Sequence, residues 1–153
     1  MEYKKTLRIF LGSDHAGFEL KEEIKKYLLN LGFEVKDMGA HKLEPKDDYP
    51  DFIIPVAKKV AGNPANKGII FGASGQGEAI AANKIKGVRA ALYYGGNMEI
   101  IRLSRTHNNT NILSLGARFL AKKEAIEAVR LWLKNDFSNE ARHIRRIKKI
   151  DKA

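Results

Sequence analysis

Gly68-Ile69-Ile70-Phe71 runs into Gly72-Ala73-Ser74-Gly75-Gln76-Gly77, and Glu78 to Ile85 follows with the composition of a helix. A β-prone apolar run, a glycine turn and a helix make up one unit of a ligand-binding α/β fold, with backbone amides gathered at the helix start. Working outward, the same alternation recurs. Leu7 to Leu11 reads as a strand ending at Gly12-Ser13-Asp14, and from Phe18 the residues Leu20, Ile24, Tyr27, Leu28 and Leu31 recur at helical spacing before Gly32. Phe33 to Asp37 reads as a second strand. His41 to Asp48 is a polar surface loop interrupted by Pro45, and Pro50 suits the start of a helix reaching about Val60. Beyond the glycine turn, Val88 to Tyr94 and Asn111 to Leu115 read as strands, Asn97 to Arg105 as the helix between them, and Lys122 to Lys134 as the last long helix. Strands alternating with helices predict an α/β fold: a five-stranded parallel sheet covered on both faces, in three Rossmann-like α/β/α layers. No repeat or linker interrupts residues 1–153, which are expected to form one domain.

The chain has 153 residues, 44% hydrophobic and 30% charged, with no cysteine. That size supports a core without disulfides or a structural metal, and the missing thiols exclude disulfide frameworks, thiolate zinc sites and cysteine nucleophiles. The basic opening is followed by an apolar run too short for a signal-peptide core, and no stretch approaches the roughly 20 apolar residues of a membrane span. A soluble, cytoplasmic protein is the expectation. The formal charge of +10 favours an anionic partner: nucleic acid, acidic lipid or a phosphorylated metabolite. The tail from Ser138 to Ala153, with six Lys and Arg against two acids, reads by itself as a solvated helix or an anion-binding arm.

Ligands of open α/β sheets bind outside the carboxyl ends of the strands. Residues expected there are Ser13, Asp14 and His15, the glycine turn, the loop Arg105-Thr106-His107-Asn108-Asn109, and Gly116 and Arg118. A glycine turn at a helix start cradles an anion, although here a purely structural turn is equally well supported. It lacks the third glycine of a dinucleotide fingerprint and the lysine of a Walker loop. Glu78 sits in the first turn of its helix, where acids complement the dipole; the functional alternative is a general base next to oxyanion-binding amides. The dipole lowers its pKa and desolvation raises it, so the sequence leaves the balance open. His15 and His107 stand beside polar loop residues rather than on apolar helix faces. No His-Glu-x-x-His spacing supports a metal, and no Gly-x-Ser-x-Gly elbow supports a serine hydrolase.

Several segments carry a resemblance over nearly the whole chain: Gly12-Ser13-Asp14-His15-Ala16-Gly17-Phe18-Glu19-Leu20-Lys21, Asp48-Tyr49-Pro50-Asp51, Gly72 to Glu78, Ile80-Ala81-Ala82-Asn83-Lys84, Ser104-Arg105-Thr106-His107-Asn108-Asn109 and Arg142-His143. The chain resembles the ribose-5-phosphate isomerase B family, which also holds galactose-6-phosphate and allose-6-phosphate isomerases. The resemblance implies a homodimer with active sites completed across the interface, and metal-independent aldose–ketose interconversion without a cofactor. Many members carry a cysteine base where this chain has Gly72. A second branch places a glutamate later in the loop, and Glu78 matches it.

By the same matching, His107 opens the sugar ring with Asp14 as helper or substitute, and Glu78 shuttles a proton between the first and second carbons through a cis-enediolate. Asn108 and the amides of Gly75 and its neighbours, Gly77 included, hold the oxyanion. Ser74 and Tyr49 contact sugar hydroxyls. His15, Arg118, Arg142 and Arg146 bind phosphate, the last two from the partner subunit, which is how residues 138–153 enter the site. The leading substrate pair is ribose 5-phosphate and ribulose 5-phosphate; allose 6-phosphate, galactose 6-phosphate or a tetrose phosphate stays open, as does a dimer of dimers. A noncatalytic basic module binding nucleic acid is disfavoured, because such a module needs no carboxylate, two loop histidines and oxyanion-type turn together.

Overall fold

Successive residues of Gly68-Ile69-Ile70-Phe71 are all buried, yet they point to opposite sides of the strand, so each side must be covered by its own apolar layer. The structure, a computed structural model, describes residues 7–153. Its strands are β1 (Arg8–Ser13), β2 (Glu34–Asp37), β3 (Asn66–Gly72), β4 (Ala90–Tyr93) and β5 (Ile112–Gly116). The helices are α1 (Phe18–Asn30), α2 (Pro50–Ala61), α3 (Gln76–Asn83), α4 (Glu99–Thr106), α5 (Lys122–Lys134) and α6 (Ala141–Asp151). The strands form one parallel sheet in the order β2-β1-β3-β5-β4. Ile9, Leu11, Ile69, Phe71, Leu113 and Leu115 pack on one face with α1, α4 and α5, where Ile24, Leu28, Ile101 and Trp132 complete the layer. Phe10, Ile70 and Ile112 pack on the other with Ile53, Val56 and Val60 of α2 and Ala82 of α3. The three-layer expectation is met. The basic start, Met1 to Thr6, lies outside the described residues.

Boundaries differ from the sequence expectation where polar residues pair or glycines turn. Asn66 and Lys67 belong to β3 because they register with Arg8 and Ile9 of β1, and Gly72 belongs to it because it pairs with Gly116. Gly75 then takes φ +78°, a left-handed turn that lets α3 begin at Gln76. At the other end of α3, the Asn83 amide receives the N–H of Ala90 at 2.8 Å and donates to its carbonyl at 3.1 Å, tying the helix end to β4. The basic tail is a helix, α6, and His143 is its buried residue.

The chain leaves β1 toward the layer of α1 and leaves β3 toward the layer of α3. Adjacent strands whose connections diverge in this way open a crevice at their carboxyl ends.

Candidate active site

Asp14 follows β1 directly, and its Oδ1 accepts the N–H groups of Ala16 at 3.0 Å and Gly17 at 3.3 Å, which fixes a buried carboxylate at the mouth of the crevice. The strand end is held from the side. Ser13 donates its N–H to Gly39 and accepts from Ala40, while Gly39 donates its own N–H to Asp37 Oδ1 at 2.9 Å. Asp37 Oδ2 receives the ammonium groups of the fully buried Lys21 at 2.7 Å and of Lys25 at 2.8 Å. Burial alone would push the Asp37 carboxyl up, but the two cations outweigh it and hold it below its ordinary range.

Across the crevice, Glu78 is only 4% exposed although it stands in the first turn of α3. Space for its carboxylate exists because position 72 is glycine: a Cβ there would lie 1.8 Å from Glu78 Oε1. Burial pushes the Glu78 carboxyl above its ordinary value, the negative charge of Asp14 adds to the shift, and a backbone N–H opposes both without prevailing. The balance left open between dipole and desolvation falls to desolvation, in the direction that favours a base. Tyr49 lies against Gly77, where a Cβ would come 2.7 Å from the phenol oxygen. Ser74 Oγ accepts the N–H of Gln76 at 3.3 Å. Arg118 joins this end through its N–H to the Ala73 carbonyl at 3.0 Å and leaves its side chain exposed. His15 Nδ1 lies 2.7 Å from Asp47 Oδ1.

His107 and Asn108 are placed elsewhere. Their loop leaves α4 and leads into β5, so it lies at the amino ends of the strands, not at the carboxyl ends where the sequence reading placed it. β5 separates the two regions with five residues, roughly 15 Å of extended chain. Arg105, 6% exposed, clamps the loop: Nε donates to the Asn135 carbonyl at 3.1 Å and Nη1 to Asn109 Oδ1 at 3.1 Å, with a further bond to the Thr110 carbonyl. The imidazole of His143 stacks on His107, centroids 4.2 Å apart and planes 20° from parallel, and its Nε2 is buried without a partner. Burial, reinforced by His107 and Arg142, pushes the His143 imidazolium pKa down. Arg142 and Arg146 project exposed from α6 at this same end, Arg142 pairing with Glu140 at 2.7 Å.

The predicted residues thus form two groups. Asp14, His15, Tyr49, Ser74, Gly75, Gly77, Glu78 and Arg118 gather at the carboxyl ends, and His107, Asn108, Arg142 and Arg146 at the amino ends. Among the described residues, Asp14, His15 and Asp47 bring one donor atom each within 4.8 Å of one another, the spacing a metal ion would need. Their visible bonds are those of a cap and an ion pair.

A family model described as ribose/galactose isomerase matches residues 9–150. The chain belongs to the ribose/galactose isomerase family. Ribose-5-phosphate isomerase B of Mycolicibacterium paratuberculosis is 42% identical over 141 residues, 92% of this chain and 87% of that protein. A crystal structure of ribose-5-phosphate isomerase B from Mycoplasma genitalium, with bound ribulose-5-phosphate, superposes with a TM-score of 0.92 at 41% identity, covering 97% of each chain. A ribose 5-phosphate isomerase structure from Thermotoga maritima gives 0.89 at 43% identity, covering 95% of this chain and 98% of that one.

For a ribose/galactose isomerase fold, two supporting residues had no role assigned from the sequence, Asp47 and His143, and Arg105, expected at the carboxyl ends, is a clamp at the amino ends. Arg105 and His143 lay inside quoted motifs, whereas Asp47 had only the polar loop around it. Among the described residues, no helix is long and apolar enough to cross a membrane.

Proposed function

We propose that the chain interconverts ribose 5-phosphate and ribulose 5-phosphate in the cytoplasm, as one domain that works as a homodimer. The single observation that carries the chemistry is the Glu78 carboxylate, buried against Gly72 with its pKa raised, at the carboxyl-end crevice of a ribose/galactose isomerase fold. The separation of the two residue groups supports the dimer: a site needing Glu78 and His107 together takes them from different copies, each copy giving its carboxyl-end group to one site and its amino-end group to the other.

In this reading His107 of the second copy gives a proton to the ring oxygen of the furanose while the anomeric hydroxyl loses one, with Asp14 assisting. The open aldehyde then has an acidic C2–H. Glu78 takes that proton, the electron pair forms the C1–C2 double bond of a cis-enediolate, and the amides at Gly75 to Gly77 with the second copy's Asn108 stabilise the charge on oxygen. Glu78 returns the proton to C1 while the C2 hydroxyl proton passes to the C1 oxygen, so that the C2 oxygen becomes a carbonyl and the ketose forms. His15, Arg118 and the second copy's Arg142 and Arg146 hold the phosphate, and Tyr49 and Ser74 the hydroxyls.

The test is to assay purified protein with four-, five- and six-carbon aldose phosphates and compare kcat/KM. The highest value is expected for ribose 5-phosphate. A higher value for another length moves the assignment to that sugar, and absence of turnover for all of them ends it.

A further inference from the structure

The loop of residues 41–48 is exposed at nearly every position, yet the Asp47 side chain is 9% exposed. Its Oδ1 accepts the backbone N–H of His15 at 3.0 Å and lies 2.7 Å from His15 Nδ1. Its Oδ2 is buried with no hydrogen-bond partner. Burying a carboxylate oxygen without a partner opposes folding, so stability is a poor account of this contact. A carboxylate oxygen only accepts, which places the Nδ1 proton on the ring and leaves Nε2 as the nitrogen free for a ligand.

We infer that Asp47 is a positioning residue for phosphate recognition: by binding Nδ1 and the backbone N–H of His15 it fixes the ring so that Nε2 faces the phosphate group. The inference rests on the proposed role of His15 as a phosphate ligand. A second carboxylate stands close by, because Asp14 offers an oxygen within 4.8 Å of the other two donors, so the His15 ring is flanked by carboxylates. The same anchor serves the sugar end of the site. Tyr49 follows Asp47 by two residues and covers Gly77, so docking Asp47 on His15 also sets where the phenol lies.

The experiment compares wild type with Asp47→Asn, which keeps an acceptor oxygen and removes the charge. KM for ribose 5-phosphate is expected to rise about tenfold with kcat within about twofold, and the competitive inhibition constant of inorganic phosphate to rise by the same factor. In a His15→Ala background the Asp47→Asn change is expected to add less than about twofold, since Asp47 acts through His15. A merely structural role would instead lower kcat and melting temperature together and survive the loss of His15; that pattern, or an unchanged KM and phosphate constant, overturns the proposal. Should Asp47→Asn fail to fold, Asp47→Glu is read in the same assays, where retained phosphate affinity supports the proposal and an unaltered enzyme in its Gln counterpart refutes it. Lack of turnover in wild type would overturn the isomerase assignment, while direct calorimetric titration with inorganic phosphate would still decide whether Asp47 acts on His15.

Discussion

The carboxylate of Glu78 fills the volume that a side chain on Gly72 would need, an ideal Cβ lying 1.8 Å from Oε1. Positions 72 and 78 therefore address one point in space. The family resemblance implies a cysteine base at the first position in many members and a glutamate base at the second in others, and in this chain the two positions compete for the same space.

Gly72→Ala should consequently fold and fail to catalyse. The atom in the way is the far end of a flexible side chain, so the carboxylate can swing aside at little cost to stability. Displaced by an ångström or more, it loses its alignment with the substrate carbon, and kcat is expected to fall at least about 100-fold with melting temperature within a few degrees of wild type. Kinetics and thermal denaturation of the same preparation check both halves.

Glu78→Gln should bind sugar phosphate but no longer exchange the C2 hydrogen of substrate with heavy water, with kcat reduced roughly 1000-fold. It should also be the more stable protein at neutral pH. The folded-state pKa of Glu78 is raised, so its contribution to stability is full below the unfolded value and is lost as pH climbs through the folded one. Glutamine never ionises, and its advantage should grow as pH rises through the folded-state value of Glu78 and vanish in acid below the ordinary carboxylate value. Denaturation midpoints across that range decide the matter.

Mixing two inactive variants should restore activity. Glu78→Gln spoils the carboxyl-end group and His107→Asn the amino-end group, so a mixed dimer assembles one intact site and one doubly damaged site. After joint refolding of equal amounts, about a quarter of wild-type activity is expected, because half of the dimers are mixed and each has one working site. Recovery near zero would mean that both residues serve a site from the same chain.

Acid should loosen α6. His143 has a lowered folded-state pKa, so its contribution is present above its unfolded value and is lost as pH falls below it. A charge on the His143 ring, stacked on His107 and close to Arg142 and Arg146, opposes docking. Backbone amides of 141–151 should exchange faster at pH 5 than at pH 8 after correction for intrinsic rates, and His143→Phe, which keeps a stacking ring without a charge, should remove the difference.

The sheet was legible because its central strands are buried on both faces, which turns Ile69-Ile70-Phe71 and Ile112-Leu113 into unbroken apolar runs between glycines and polar turns. Edges were less so: Asn66 and Lys67 look like loop until their pairing with β1 is seen. Candidate site residues were proposed from spacing and family motifs, but the end of the sheet at which His107 sits depends on connectivity, since a loop that leaves a helix delivers its residues to the start of the next strand. Asp47 had no pattern to reveal it. Its significance comes from a contact with a residue 32 positions away, and one acidic residue in a polar loop looks like any other.

β5 is only five residues long. Within a copy, Glu78 and His107 are held apart by the backbone of β5, so if neighbouring molecules share their sites, the gap between the carboxyl-end residues of one and Arg142 and Arg146 of the other is a measure of how two surfaces settle together. Substrate length would then be gauged by a quaternary caliper, and swapping residues at the seam between subunits would retune carbon count while leaving every named side chain untouched.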